Sequence, residues 1–184
     1  MTYHTPYEII AKGAESGKYR ASLSWWNILL RGWMAGAYIS MGASLMIIVS
    51  TGVASALGAG IAQLVSGLVF PLGLILVVLT GAELFTGDAM LAPFAAFSGI
   101  SRWNAVFRLW ILSYLGNIIG AIFFAGLLAY SVLLQPGPDG MTASAYAVAT
   151  VTFAAERCSY PGIYGILSCF IKAVAAGWLI NLAV

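Results

Sequence analysis

From Gly32 to Ala82 no residue carries a charge, and the run ends on Ala82-Glu83. A soluble domain carries roughly 25% charged residues, whereas only 8% of these 184 residues are charged and 61% are hydrophobic. A soluble globule of this size cannot hide so much apolar surface, so lipid is the expected solvent. The formal net charge of +2 is too small to suggest nucleic acid as a partner. Cys158 and Cys169 form neither a metal pattern nor a disulfide framework, and both read as small buried residues.

Charges and glycines divide the chain into a polar tail over 1–24 and a transmembrane domain over 25–184. The expected class is an all-α membrane protein with four spans, at about 28–52, 61–97, 106–134 and 162–184. The tail opens with Thr5-Pro6-Tyr7-Glu8, a capping box with proline at the first helical position. Its helix is expected to run to about Gly17 with Tyr7, Ile10, Ala11 and Ala14 on one face, lying on the membrane surface or in water. Thr142 to Ala155 is apolar but too short to span, and reads as a re-entrant or surface helix. Asp139, Glu156 and Arg157 are the charges of the loop that contains it. Lys12, Lys18 and Arg20 in the tail, with Arg102 and Arg108 around the second loop, place the N-terminus on the cytoplasmic side. Trp25, Trp26, Trp103 and Trp110 fall near span ends, where interfacial aromatics are expected. Gly32, Gly36 and Ser40 in the first span, and Gly116 and Gly120 in the third, form stripes that suit close helix packing.

The second span is the unusual one. Drawn as one straight helix, Ile61 to Phe97 would be about 55 Å long, against a hydrocarbon core of about 30 Å. An interruption is therefore required, and Gly81, Gly87 and Pro93 supply the means, around Glu83 and Asp88. Irregular backbone at membrane depth is tolerated where it is buried in protein or lines a wet cavity, and transport proteins use such breaks to present helix ends to a substrate. Glu83 then pairs with a buried base, touches the permeating species or simply reaches the water interface. Arg20, Arg157 and Lys172 are its candidate partners. Asp88 is expected to cap the second half-helix.

GAELFTGDAM, Gly81 to Met90, resembles the signature of the formate/nitrite transporter family, usually GAELFTGN. Gly17 to Ser22 resembles the family's segment before helix one, where a lysine commonly stands at the position of Arg20. Phe70 to Leu76 resembles the constriction stretch of helix two, and Lys172 to Val184 the ending of helix four. The resemblance implies an aquaporin-like inverted repeat of six helices in a homopentamer of the inner (plasma) membrane. Each subunit would carry a pore for a small monovalent anion such as formate, nitrite or hydrosulfide, or its conjugate acid. By motif position the pathway would include Phe70, Leu74, Leu84, Phe85 and Thr86, with Arg20 and Arg157 as vestibule bases. Gly177 and Asn181 depart from the family pattern, which has asparagine and cysteine there. The family's proton-donating histidine lies on helix five, while this chain's histidine is His4, expected to be solvated. An inverted-repeat pore needs both halves, so the chain reads as a piece of a longer channel or, alternatively, a short form that completes its pore between copies.

Two other functions compete. A neutral-solute channel of aquaporin type would use the same broken helix, but its Asn-Pro-Ala repeats are missing. A membrane anchor of a redox complex would want histidines in the spans, and they contain none. No nucleophile–base pair or metal cluster stands out, so neither an enzyme nor a cofactor is expected.

Overall fold

The computed structural model describes residues 5–137 and 140–183. His4, Asp139 and Val184 lie outside the described residues. The helices are α1 Pro6–Ser22, α2 Trp25–Ser50, α3 Val53–Leu57, α4 Ala59–Val69, α5 Pro71–Thr80 and α6 Phe85–Phe97, followed by α7 Trp103–Leu128, α8 Ala145–Cys158 and α9 Gly162–Ala183. A π-helical turn, Ala129–Leu133, ends α7. It leads into an antiparallel hairpin of β1 (Leu134–Gly137) and β2 (Gly140–Ala143), with Leu134 opposite Ala143 and Gly137 opposite Gly140. Four helical stretches are long and apolar enough to cross a bilayer: Trp25–Ser50, Ala59–Thr80, Trp103–Leu133 and Gly162–Ala183.

Two compact units divide the chain, and α2, α5, α7 and α9 each contribute to both. The first contains α1, α2 up to Gly36, the end of α5 from Val77, α6, α7 up to Gly120 and the stretch from Leu179. Among the described residues, every buried side chain except Ser144 lies in it. Its apolar core joins Ala21, Ile28, Ala92, Val106 and Leu109. The buried positions of α7 (Val106, Leu109, Ser113, Gly116 and Gly120) recur every three or four residues, the spacing of one helix face.

Small residues set the closest approaches in this unit. A Cβ on Gly32 would lie 3.0 Å from Ser113 O and 3.2 Å from Gly116 Cα, and one on Gly36 would collide with Asn117 O. The glycine stripes of α2 and α7 therefore meet backbone to backbone. α1 docks on α6 in the same way, because a Cβ on Gly17 would collide with Leu91 O. The docked face is Ala14, Gly17 and Ala21. That corrects the face expected from the sequence, since Tyr7 and Ile10 are exposed and the small residues beyond them permit closer packing. The helix also runs on to Ser22, past Gly17. It opens with the capping box: Thr5 N–H donates to Glu8 Oε2 at 2.7 Å and Glu8 N–H to Thr5 Oγ1 at 3.3 Å. At the other end Arg108 donates to Ala21 O at 2.8 Å and Leu23 O at 2.9 Å, placing a cation on the last carbonyls of α1.

The second unit holds the rest of α2, α3, α4, the start of α5, the end of α7, the hairpin, α8 and most of α9. Gly42 and Gly73 let α2 and α5 approach there, with a Cβ on Gly42 only 2.7 Å from Phe70 O and one on Gly73 2.7 Å from Tyr38 O. Proline at the first position of α5 has no N–H to continue α4, so the hydrogen-bond ladder is interrupted at Phe70-Pro71 while the Phe70 backbone stays helical. Ser144 caps α8 by accepting from Ala147 N–H at 3.3 Å, and its hydroxyl donates to Val132 O at 3.0 Å. The short apolar segment read from the sequence is thus a hairpin strand followed by a helix. α9 has no buried residue, and Tyr164, Phe170, Trp178 and Leu182 are among its exposed side chains. Cys158 is exposed and Cys169 half-buried, against the expectation of two buried thiols, because α8 and α9 bury none of their residues.

Candidate functional site: the helix break at Gly81–Leu84

α5 stops at Thr80 and helical backbone resumes at Phe85. The stop is a glycine cap. Gly81 adopts φ +67°, its N–H donates to Val78 O at 3.4 Å, and Ala82 N–H reaches back to Val77 O at 3.1 Å. This hydrogen-bond pair is the Schellman arrangement, and Ala82 and Val77, which it joins, are both buried. Gly87 and Pro93 lie inside α6 and do not interrupt it. The break comes from Gly81 alone, whose left-handed backbone no L-residue adopts cheaply.

Glu83 and Asp88 face inward, 1% and 0% exposed. Arg20 Nη1 donates to both, at 2.7 Å to Glu83 Oε2 and 3.0 Å to Asp88 Oδ1. Arg31 Nη1 stands 3.4 Å from Glu83 Oε1 and 3.5 Å from Gly81 O, while its Nη2 donates to Tyr19 Oη at 3.2 Å. Two carboxylates thus face two guanidinium groups, the pairing that buried acids require. Asp88 is an ion-pair member and not the cap expected from the sequence. The N-cap of α6 is Leu84, which makes no side-chain cap bond, and Asp88 sits one residue too deep in the helix to reach its first N–H groups. Lys172 and Arg157 belong to the other unit, with Lys172 Nζ 5.4 Å from the Tyr160 ring and Arg157 4.4 Å from that of Phe153. Arg31 was the missed partner. It stands just before the uncharged run, at a spot where a span-end arginine reads as an interfacial charge.

Asn117 of α7 was missed as well. Its Nδ2 donates to Gly32 O and to Glu83 O, both at 2.9 Å, and its Oδ1 accepts from Phe85 N–H at 3.0 Å. The first N–H of α6 is thus capped by another helix. The available signal was an uncharged amide inside an apolar span, which needs partners there. Trp110 Nε1 donates to Asp88 O at 3.1 Å, so this tryptophan is tied to the backbone of α6 and is not a free interfacial ring. Glu83 N–H donates to Arg31 O at 3.3 Å, tying the loop to α2.

Thr86 occupies the second position of α6, and its Oγ1 is buried without a hydrogen-bond partner among the described residues. Leu84 and Phe85 beside it are half-buried, and the Phe85 ring meets Tyr114 edge-on at 5.2 Å. Phe70 is exposed and Leu74 half-buried, both in the second unit. Asn181 Oδ1 on α9 is also buried and without a partner.

Apolar helices long enough to span, and a helix break held by two buried carboxylates on two arginines, define a helical membrane protein. Residues 7–184 match the sequence model of the formate/nitrite transporter family, and the chain belongs to that family. It is 35% identical over 165 residues to the "Probable formate transporter" of Methanothermobacter thermautotrophicus, covering 86% of this chain and 60% of that protein. To "Formate channel FocA" of Escherichia coli (strain K12) it is 30% identical over 190 residues, covering 100% of this chain and 61% of that one. Among solved structures it resembles an "FNT family ion channel", with a TM-score of 0.67 at 26% identity, covering 83% of this chain and 59% of the other. The chain thus spans about three fifths of the length of these relatives.

Proposed function

We propose that this chain forms part of a plasma-membrane channel for small monovalent anions or their conjugate acids, formate and nitrite being the leading candidates. The observation that carries the reading is Thr86, whose buried hydroxyl has no protein partner at the N-terminal turn of α6. A helix N-terminus presents N–H groups and the positive end of the dipole, which favour an anion. Asp88 in that first turn would oppose this, but Arg20 offsets its charge at 3.0 Å. Leu84 and Phe85 beside Thr86 supply apolar wall, and Phe70 and Leu74 of the second unit are proposed as further pathway residues. A bare anion at the bilayer centre costs several kcal/mol, so protonation near the constriction would lower the barrier and link flux to protons. The basic residues of the tail support a cytoplasmic N-terminus. Assembly as a homopentamer is proposed as well, on the family membership alone.

The test is uptake of labelled formate and nitrite into proteoliposomes holding the full-length protein, with glycerol permeability measured in parallel. Thr86→Tyr, which fills the mouth with a ring, is expected to abolish anion uptake. Undiminished uptake by the folded variant refutes the pathway, and glycerol flux without anion flux supports a neutral-solute channel instead.

A further inference from the structure

We infer that Asn117 is a positioning residue for the mouth of the pathway, acting through the backbone it holds, an inference that rests on the reading of Thr86 as a pathway residue. Its one amide ties three elements together: α2 through Gly32 O, the break through Glu83 O, and α6 through Phe85 N–H. The partners fix its orientation, since a flipped amide would face Oδ1 toward two carbonyl oxygens and Nδ2 toward an N–H. Asn117 cannot retreat, because α2 lies against its backbone at Gly36, where even a methyl group would strike Asn117 O. The residues it grips flank Leu84 and come immediately before Thr86, so the direction of the unpartnered Thr86 hydroxyl is set from α7. The charge cluster anchors the Glu83 and Asp88 side chains from α1 and α2. Asn117 holds the backbone between them, a separate task that no charge performs.

Two variants of the full-length protein in nanodiscs test this. Asn117→Leu removes all three bonds. Asn117→Asp is nearly isosteric; it keeps an acceptor for Phe85 N–H and loses the donors to Gly32 O and Glu83 O. In Asn117→Leu the Phe85 amide is expected to exchange hydrogen at least tenfold faster, with α8 unchanged. In Asn117→Asp the Phe85 amide stays protected. In flux measurements on the same folded protein, both variants are expected to raise the half-saturating formate concentration at least threefold. They should also lower the formate-to-pyruvate uptake ratio. Wild-type exchange at Phe85 in Asn117→Leu overturns the inference, as does faster exchange spread evenly over the chain with half-saturation and selectivity unmoved. If the wild type carries no anion, the pathway reading fails on its own, and the exchange pattern still decides whether Asn117 positions the break.

Discussion

Replacing Arg20 by methionine removes the one group that touches both buried carboxylates. The change leaves Asp88 without a cationic partner and Glu83 with only Arg31 at 3.4 Å. Removing one partner of a buried pair costs about 3–5 kcal/mol. Two stranded carboxylates, 1% and 0% exposed, place Arg20→Met toward the upper end. Arg31→Met removes a longer contact made by a side chain that is 32% exposed, and falls in the surface-pair range of about 0–1 kcal/mol. Glu83→Gln lies between them, at about 1.5–3 kcal/mol, because Arg20 keeps Asp88 and a neutral acceptor. At roughly 2–4 °C per kcal/mol for chains of this size, Arg20→Met should lower the melting midpoint by about 10 °C or more. Arg31→Met should lower it by less than about 4 °C. Tryptophan fluorescence of the full-length protein in detergent reads these midpoints. The decisive comparison repeats Arg20→Met in a Glu83→Gln/Asp88→Asn background, where no carboxylate is left to strand. The loss should then shrink to under about 1 kcal/mol. An equal loss in both backgrounds refutes the electrostatic account and assigns the role of Arg20 to the packing of its aliphatic stem.

Gly36→Ala should destabilise by about 1–3 kcal/mol, since the methyl strikes Asn117 O and α2 and α7 must separate. Gly126→Ala, on the same α7 with nothing within 4 Å, should leave the midpoint unchanged or slightly raised. Thermal melts of the pair check this, and equal losses would remove close packing as the reason for the glycines. Gly81→Ala meets no atom within 4 Å but must hold φ +67°, so it should cost about 1–2 kcal/mol from backbone alone. A neutral melt would show that the break tolerates another backbone path.

Folding and the proposed pathway meet at the same few residues. An apolar run from Ile61 to Phe97 outreaches the bilayer as one straight helix, and the backbone groups that a break frees need hydrogen-bond partners. Here they come from the glycine cap within the loop, from Asn117 beside it and from Arg31 O on the Glu83 N–H. Among the described residues, Thr86 Oγ1 and Asp88 Oδ2 are the buried side-chain atoms left without such a partner at the start of α6, and Thr86 is the one the proposed pathway uses.

The sequence by itself determined what depends on neighbours along the chain. The capping box at Thr5–Glu8, the apolar spans and the need to interrupt the second follow from propensities and lengths that act over a few residues, and the GAELFTG motif carried the family. Only the tertiary structure decided who meets whom. Glu83 pairs with Arg20 and Arg31, which lie 63 and 52 positions away, and the sequence offered Arg157 and Lys172 on equal terms. Asp88 looked like a cap because aspartate at a helix start usually is one, until α1 brought Arg20 across from it. Charge identifies a residue that must find a partner, whereas the partner is chosen by which helix faces touch. Those faces were set by Gly17, Gly32 and Gly36, whose missing side chains admit a neighbouring backbone. Asn117 became visible only there, because an amide shows its role through the three groups it bonds and not through its own position in the chain.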